Sequence, residues 1–341
     1  MEKRLIWDFG AQFAREPVLR RMPDGSLACL FLTGGPYEPH NQNVAMMSRS
    51  EDDGDTWSRP RTLFAHSRRG VWATELFTGG NTPMVVLHTY DAQSHYRELQ
   101  TFRAFTYDSG RTWTEPASFP CGLNGVSVRQ GIVLADGRIV FPYYWQETTY
   151  DFDWIVDSSA QRDAARFPFR CGVAISEDGG KTYRRSGCLR GARGLWEPNC
   201  VETEPGHLVM LVRDKAADTL ARSESFDGGK TWTEPADSGI PNPGTKATLI
   251  KTGSAVLLIN NFCARRPWRE RSSLKVCVSR DGMRTWSEGF PIEPPEACYF
   301  YPHAFADDAR RTLYVAYENA VEHRLARIPY AEIPGIEEEA L

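Results

Sequence analysis

Ser225-Phe226-Asp227-Gly228-Gly229-Lys230-Thr231-Trp232 follows the pattern Ser/Thr-x-Asp-x-Gly-x-Thr-aromatic, and near-copies stand at 50–57, 106–113, 176–183 and 279–286. Each octad supplies what a tight hairpin needs. Asp binds backbone amides, Gly accepts positive φ, and the Thr-aromatic pair re-enters a strand and buries a ring. Successive octads are 56, 70, 49 and 54 residues apart, measured from Asp to Asp. A period near fifty residues with one insertion means stacked blades or solenoid units.

Upstream of each octad the same plan recurs: an apolar strand, a tight turn, a second apolar strand. The turns are Pro23-Asp24-Gly25, Thr78-Gly79-Gly80-Asn81, Ala135-Asp136-Gly137, Glu204-Pro205-Gly206, Lys251-Thr252-Gly253 and Asp307-Asp308-Ala309. Six inner hairpins with an outer pair each predict an all-β fold, a six-bladed β-propeller of four-stranded blades in a single domain. The expected blades are 11–66, 70–121, 124–190, 194–238, 243–293 and 297–330. The sixth lacks an octad and a fourth strand, which residues 4–9 are expected to supply, closing the ring and removing open sheet edges. The 70-residue interval holds an insertion, Tyr143 through Arg170, rich in aromatic and acidic residues including Trp145 and Trp154. It reads equally as a binding lid or as a patch over its own blade.

Lys and Arg total 40 against 44 Asp and Glu, a formal net charge of −4. No basic field invites nucleic acid. No run is long and apolar enough for a signal peptide or a bilayer span, so a soluble, cytoplasmic chain is expected. The eight cysteines show no CxxC pairing and read as thiols. No cofactor or metal is called for, the oligomeric state is not legible, and the expected partner is a small molecule.

In such a blade both tight hairpins turn on one face, so the starts of the first strands, the ends of the second and the loops after them converge on the other. The residues read off there are Arg15, Glu16 and His40; Glu75, His88 and Tyr90; Arg129, Tyr144 and Trp145; Glu197 and Arg213; Lys246, Asn260, Asn261 and Arg271; Tyr301, His303 and Glu318. Charges at strand ends entering a core are costly unless paired. Any one of them reads as well as a tie between blades, but as a set they read as a site.

The octads resemble the Asp-boxes of sialidases (neuraminidases), in which the box is a structural turn far from the active site. That resemblance extends to the funnel. Phe13-Ala14-Arg15-Glu16-Pro17 is similar to the Arg-Ile-Pro segment bearing the first carboxylate-binding arginine, with Glu16 in place of Ile. Trp196-Glu197-Pro198 with Leu211-Val212-Arg213 resembles the segment of the catalytic glutamate and second arginine. Arg271-Ser272-Ser273-Leu274 resembles the entry bearing the third, and Tyr301 stands where the family places its nucleophile. The family's acid/base aspartate has no counterpart, because the loop reads Tyr37-Glu38-Pro39-His40-Asn41-Gln42-Asn43.

The resemblance implies a carboxylate clamp of Arg15, Arg213 and Arg271 with Tyr301 and Glu197 as nucleophile and activator. Around them Arg129, Glu75, Tyr90, Trp145, Lys246 and His303 are expected to bind substrate. Guanidiniums suit a carboxylate because their paired donors are fixed. His40 or Glu38 would replace the missing aspartate, and a histidine (His40 or His88, since imidazole titrates near neutrality) or a tyrosine would be the base if the reaction were elimination. Three functions follow: an exo-glycosidase removing an acidic sugar, a lyase acting on a uronate, or a non-catalytic carbohydrate-binding propeller using Trp145 and Trp154 as platforms.

Overall fold

The computed structural model describes residues 1–94, 99–120, 125–146, 169–190, 194–214 and 217–336. Their strands form six antiparallel sheets, each running from an inner strand A to an outer strand D. Blade 1 consists of Ala14–Arg21, Leu27–Thr33, Val44–Ser50 and Arg61–Phe64, and blade 4 of Leu195–Glu204, His207–Asp214, Thr219–Ser225 and Ala236–Pro241. In blade 3 strand A is broken into Val126–Val128 and Ile132–Val133. Blade 6 takes its outer strand from the other end of the chain. Glu2–Asp8 pairs antiparallel with Glu322–Pro329, placing Lys3 opposite Ala326. Of the Tyr143–Arg170 insertion, residues 147–168, Trp154 included, lie outside the described residues.

Strand side chains point into the wedges between blades, so the core is a ring of inter-blade clusters. One joins Val18, Leu30 and Met47 of blade 1 to Val71, Leu76 and Leu87 of blade 2. Another joins Cys171, Val173 and Ile175 to Cys200, Leu208 and Met210.

The box turns explain their own sequence. Asp227 Oδ1 accepts from Lys230 and Thr231 backbone amides, each at 2.9 Å, and Oδ2 from the Thr231 hydroxyl at 2.6 Å. The Gly229 amide donates to Ser225 Oγ at 2.8 Å, and Trp232 Nε1 to the Gly229 carbonyl at 3.0 Å. Positive φ is required at the fifth position, where Gly229 has 91°. The last box puts Met283 there, at φ 67°, and its amide still reaches Ser279 Oγ at 2.9 Å.

Candidate active site

Three strands carry one device at the mouth of the channel. Glu16, Glu197 and Tyr301 have φ of 51°, 49° and 54°, and each precedes a proline. The ladder slips at the same places, between Arg15 and Val18, Trp196 and Asn199, and Phe300 and His303. A left-handed L-residue costs about 1–2 kcal/mol, and the following proline has no N–H to rejoin the ladder. The bulge turns a side chain out of the inter-blade wedge and toward the propeller axis.

Tyr301 is at the centre, 6% exposed. Its hydroxyl donates to Glu197 Oε1 at 3.0 Å, while Arg213 Nη1 donates to both Glu197 Oε2 at 3.0 Å and the Tyr301 oxygen at 3.2 Å. The guanidinium carbons of Arg15 and Arg271 lie 4.6 and 5.6 Å from the ring centroid. Glu318, fully buried, fixes Arg15 through Nε at 3.0 Å and also receives the Glu16 amide at 3.2 Å. Glu16 Oε2 accepts from Trp72 Nε1 at 3.1 Å and faces Arg129 Nη1 at 3.5 Å.

The charges act on each other strongly. Burial would raise Glu197, but Arg213 and Arg129 outweigh it and hold the carboxyl well below its ordinary value. Burial and Glu197 push the Tyr301 phenol up, against the pull of Arg213, Arg15 and Arg271. Arg271 is pushed down by burial and by Arg213 and Arg15. Arg213 Nε and Arg271 Nε and Nη1 are buried without a hydrogen-bond partner among the described residues. Desolvated guanidinium donors of this kind suit an anion.

The other expected residues divide. Arg129 and Lys246 join the cluster, 3% and 4% exposed. Glu75 and His303 lie deeper. Glu75 Oε1 accepts from Arg20 at 2.8 Å, and His303 Nδ1 accepts from the Leu19 amide at 3.1 Å. Tyr90 is fully buried and holds the 34–43 loop by donating to Asn43 Oδ1.

Three expected residues are placed differently. His88 is sealed between blades 2 and 3, with Nδ1 against Thr101 Oγ1 at 3.1 Å and Nε2 against Thr74 Oγ1 at 3.1 Å, and burial lowers its pKa to about 3. His40 spends Nδ1 on the Gln42 amide at 3.1 Å and packs its ring on Gly35 and Tyr37 of its own loop. Glu38, from the same loop, is the member whose charge acts on Arg15. Trp145 turns to the outer wedge, against Tyr143 and Arg185. Its neighbour Tyr144 stacks on Trp196, with centroids 6.1 Å apart and an interplanar angle of 11°.

Arg20, Trp72 and Trp268 were not singled out from the sequence. Trp268 lies under Arg15 at 4.9 Å. An aromatic beside proline in the arginine-rich run Arg265-Arg266-Pro267-Trp268-Arg269 was the available signal.

A family model described as a BNR repeat-like domain matches residues 66–312. A sialidase of Bacteroides fragilis is 24% identical over 316 residues, covering 81% of this chain and 54% of that protein. The chain therefore spans about half the length of that curated relative. Among solved structures, the Hadza microbial sialidase Hz136 superposes with a TM-score of 0.77 at 20% identity, over 94% of this chain and 66% of its own. A protein of unknown function from Dyadobacter fermentans gives 0.72 at 16% identity, over 96% and 98%. At these identities the structural likeness establishes the propeller and not its chemistry.

Proposed function

The chain belongs to the BNR repeat-like domain family, and from its sialidase-type propeller and funnel we propose that it is an exo-glycosidase acting on a terminal carboxylate-bearing sugar. The observation that carries this reading is the Tyr301 hydroxyl, bonded to Glu197 and Arg213 and flanked by Arg15 and Arg271, with guanidinium donors left unpaired. The substrate carboxylate takes those donors, which sets the anomeric carbon before the Tyr301 oxygen.

Tyr301 oxygen bonds to the anomeric carbon as its proton passes to Glu197 Oε1. The glycosidic C–O bond breaks, and the leaving oxygen takes a proton from Glu38. Water then attacks the glycosyl-tyrosine, giving one proton to Glu38 and its oxygen to the sugar, while Tyr301 recovers its proton from Glu197. Glu38 is given the acid role because its charge acts on Arg15, whereas the His40 ring packs in its own loop.

Elimination would use the same clamp with a histidine or Tyr301 as the base; His88, sealed between blades, does not support that role. A purely binding propeller loses support from Trp145, which faces away. The test is incubation with a panel of sialosides and uronate-capped oligosaccharides, followed by product masses. Cleavage with gain of one water is expected; cleavage without it means elimination, and binding without cleavage means neither.

A further inference from the structure

Lys246 leads into strand A of blade 5 (Thr248–Thr252) and places a largely buried ammonium beside the Tyr301 ring. It is 4% exposed, and neither a hydrogen bond nor an ion pair engages its Nζ among the described residues. Nζ stands 5.5 Å from the centroid of the Tyr301 ring. Lysines are seldom this buried without an ion pair, so the position calls for a cause. The charged and titratable groups that face it come from all the other blades. They are Glu16 and Cys29 of blade 1, Glu75 of blade 2, Arg129 of blade 3, Glu197 of blade 4, and His303 and Glu318 of blade 6, with Tyr301 itself. Lys246 therefore sits close to the propeller axis.

Its position matters because of what the clamp does when filled. Arg213, Arg15 and Arg271 are the cations that favour loss of the Tyr301 proton. They are also the three that a substrate carboxylate neutralises. A phenol pushed above its ordinary value of about 10 must then ionise beside Glu197 with its supporting charge spent. We propose that Lys246 is a positioning residue for the nucleophile, its ammonium held over the ring to sustain the negative charge developing on Tyr301 once the clamp is occupied. This rests on Tyr301 being the nucleophile.

Unlike the guanidiniums, this charge can be switched off within a working pH range. Burial and Arg129 lower the Lys246 ammonium to about 8, against the pull of Glu16, Glu197 and Glu318. Above that pH the amine is neutral and the support is lost, so kcat should fall on the alkaline side near pH 8. Lys246→Arg keeps the charge and should move that limb upward. Lys246→Met should lower kcat by about 10- to 100-fold with KM little changed, and should abolish the limb.

A second measurement needs no substrate. The ultraviolet difference titration of wild type minus Tyr301→Phe isolates the Tyr301 phenol. Repeated in the Lys246→Arg background, where the cation stays charged through the phenol's titration, it should shift to lower pH; in Lys246→Met, which replaces an amine already neutral there, it should not. An unchanged alkaline limb in Lys246→Arg, or an unmoved Tyr301 titration in Lys246→Arg, overturns the proposal. If no acidic sugar is turned over, the hydrolase reading fails by itself and the titration still decides Lys246.

Discussion

Arg21 and Arg15 lie on the same strand of blade 1, and they show how differently the two faces of the propeller treat a charge. On the box face, every nitrogen of Arg21 is engaged: Nη2 donates to Asp53 at 2.6 Å, Nε to Asp307 at 2.7 Å and Nη1 to the Gly25 carbonyl at 2.7 Å. The box aspartates are equally complete. Thr hydroxyls and backbone amides hold Asp52 and Asp108 at about 2, in contact with water. On the funnel face, Arg15 shares Glu318, and Arg271 has no carboxylate partner at all among the described residues. Cations outnumber carboxylates around Tyr301, all of them largely buried. Polar groups that satisfy one another build a scaffold; buried donors left over mark a place for a ligand.

The sharpest way to break that contrast is to disable each face in turn. Tyr301→Phe or Glu197→Gln should lower kcat/KM by about 10³–10⁴-fold, with no further loss in the double variant, because the two act as one unit. Glu38→Gln should cost about 10²–10³-fold, whereas His40→Ala should leave turnover near wild type. The reverse ranking would return the acid role to the histidine. On the scaffold face, Trp232→Ala should reduce stability by about 2–4 kcal/mol in denaturant titration while kcat and KM stay unchanged, since its ring packs against blade 3. Lost activity with unchanged melting would mean that the box face is not merely structural.

The smallest effect concerns acid stability. His323 is fully buried against Phe9 and Phe31, and burial lowers its pKa to about 3. The unfolded chain takes up that proton near pH 6.5, as it does for His88 and His303, so stability should fall as pH drops from about 6.5 toward 3. The box aspartates act lower, their contribution being lost as pH falls from about 4 through 2. His323→Phe should flatten the upper part of that decline by one proton in melting curves between pH 4 and 7; an unchanged slope would place the proton uptake elsewhere.

The repeat made the ring legible, because a box turn is written in consecutive residues and its bonds are local. The closing strand was legible too, from a blade one strand short. The positions Glu16, Glu197 and Tyr301 could be found through the prolines that follow them. Facing within a strand was a different matter. Trp145 and Tyr144 are adjacent and alternate, and only the break in strand A of blade 3 and the register of Val126 with Trp145 decide which one meets the funnel. His88 lies two residues inside the end of its strand, where side chains enter the wedge, so its partner is the Val128 amide of the next blade. Such neighbours are distant in sequence, and no local pattern encodes them.

The central claim is that Tyr301, within the arginine clamp, is the nucleophile toward an acidic sugar. It is tested most directly by incubating the protein with a series of 2,3-difluorinated acidic sugars and mapping any adduct by peptide mass. A glycosyl adduct on the peptide containing Tyr301, lost in Tyr301→Phe and Arg271→Ala, is the predicted result. An adduct on another residue, or turnover of acidic sugars that no fluorinated analogue intercepts at Tyr301, would contradict it.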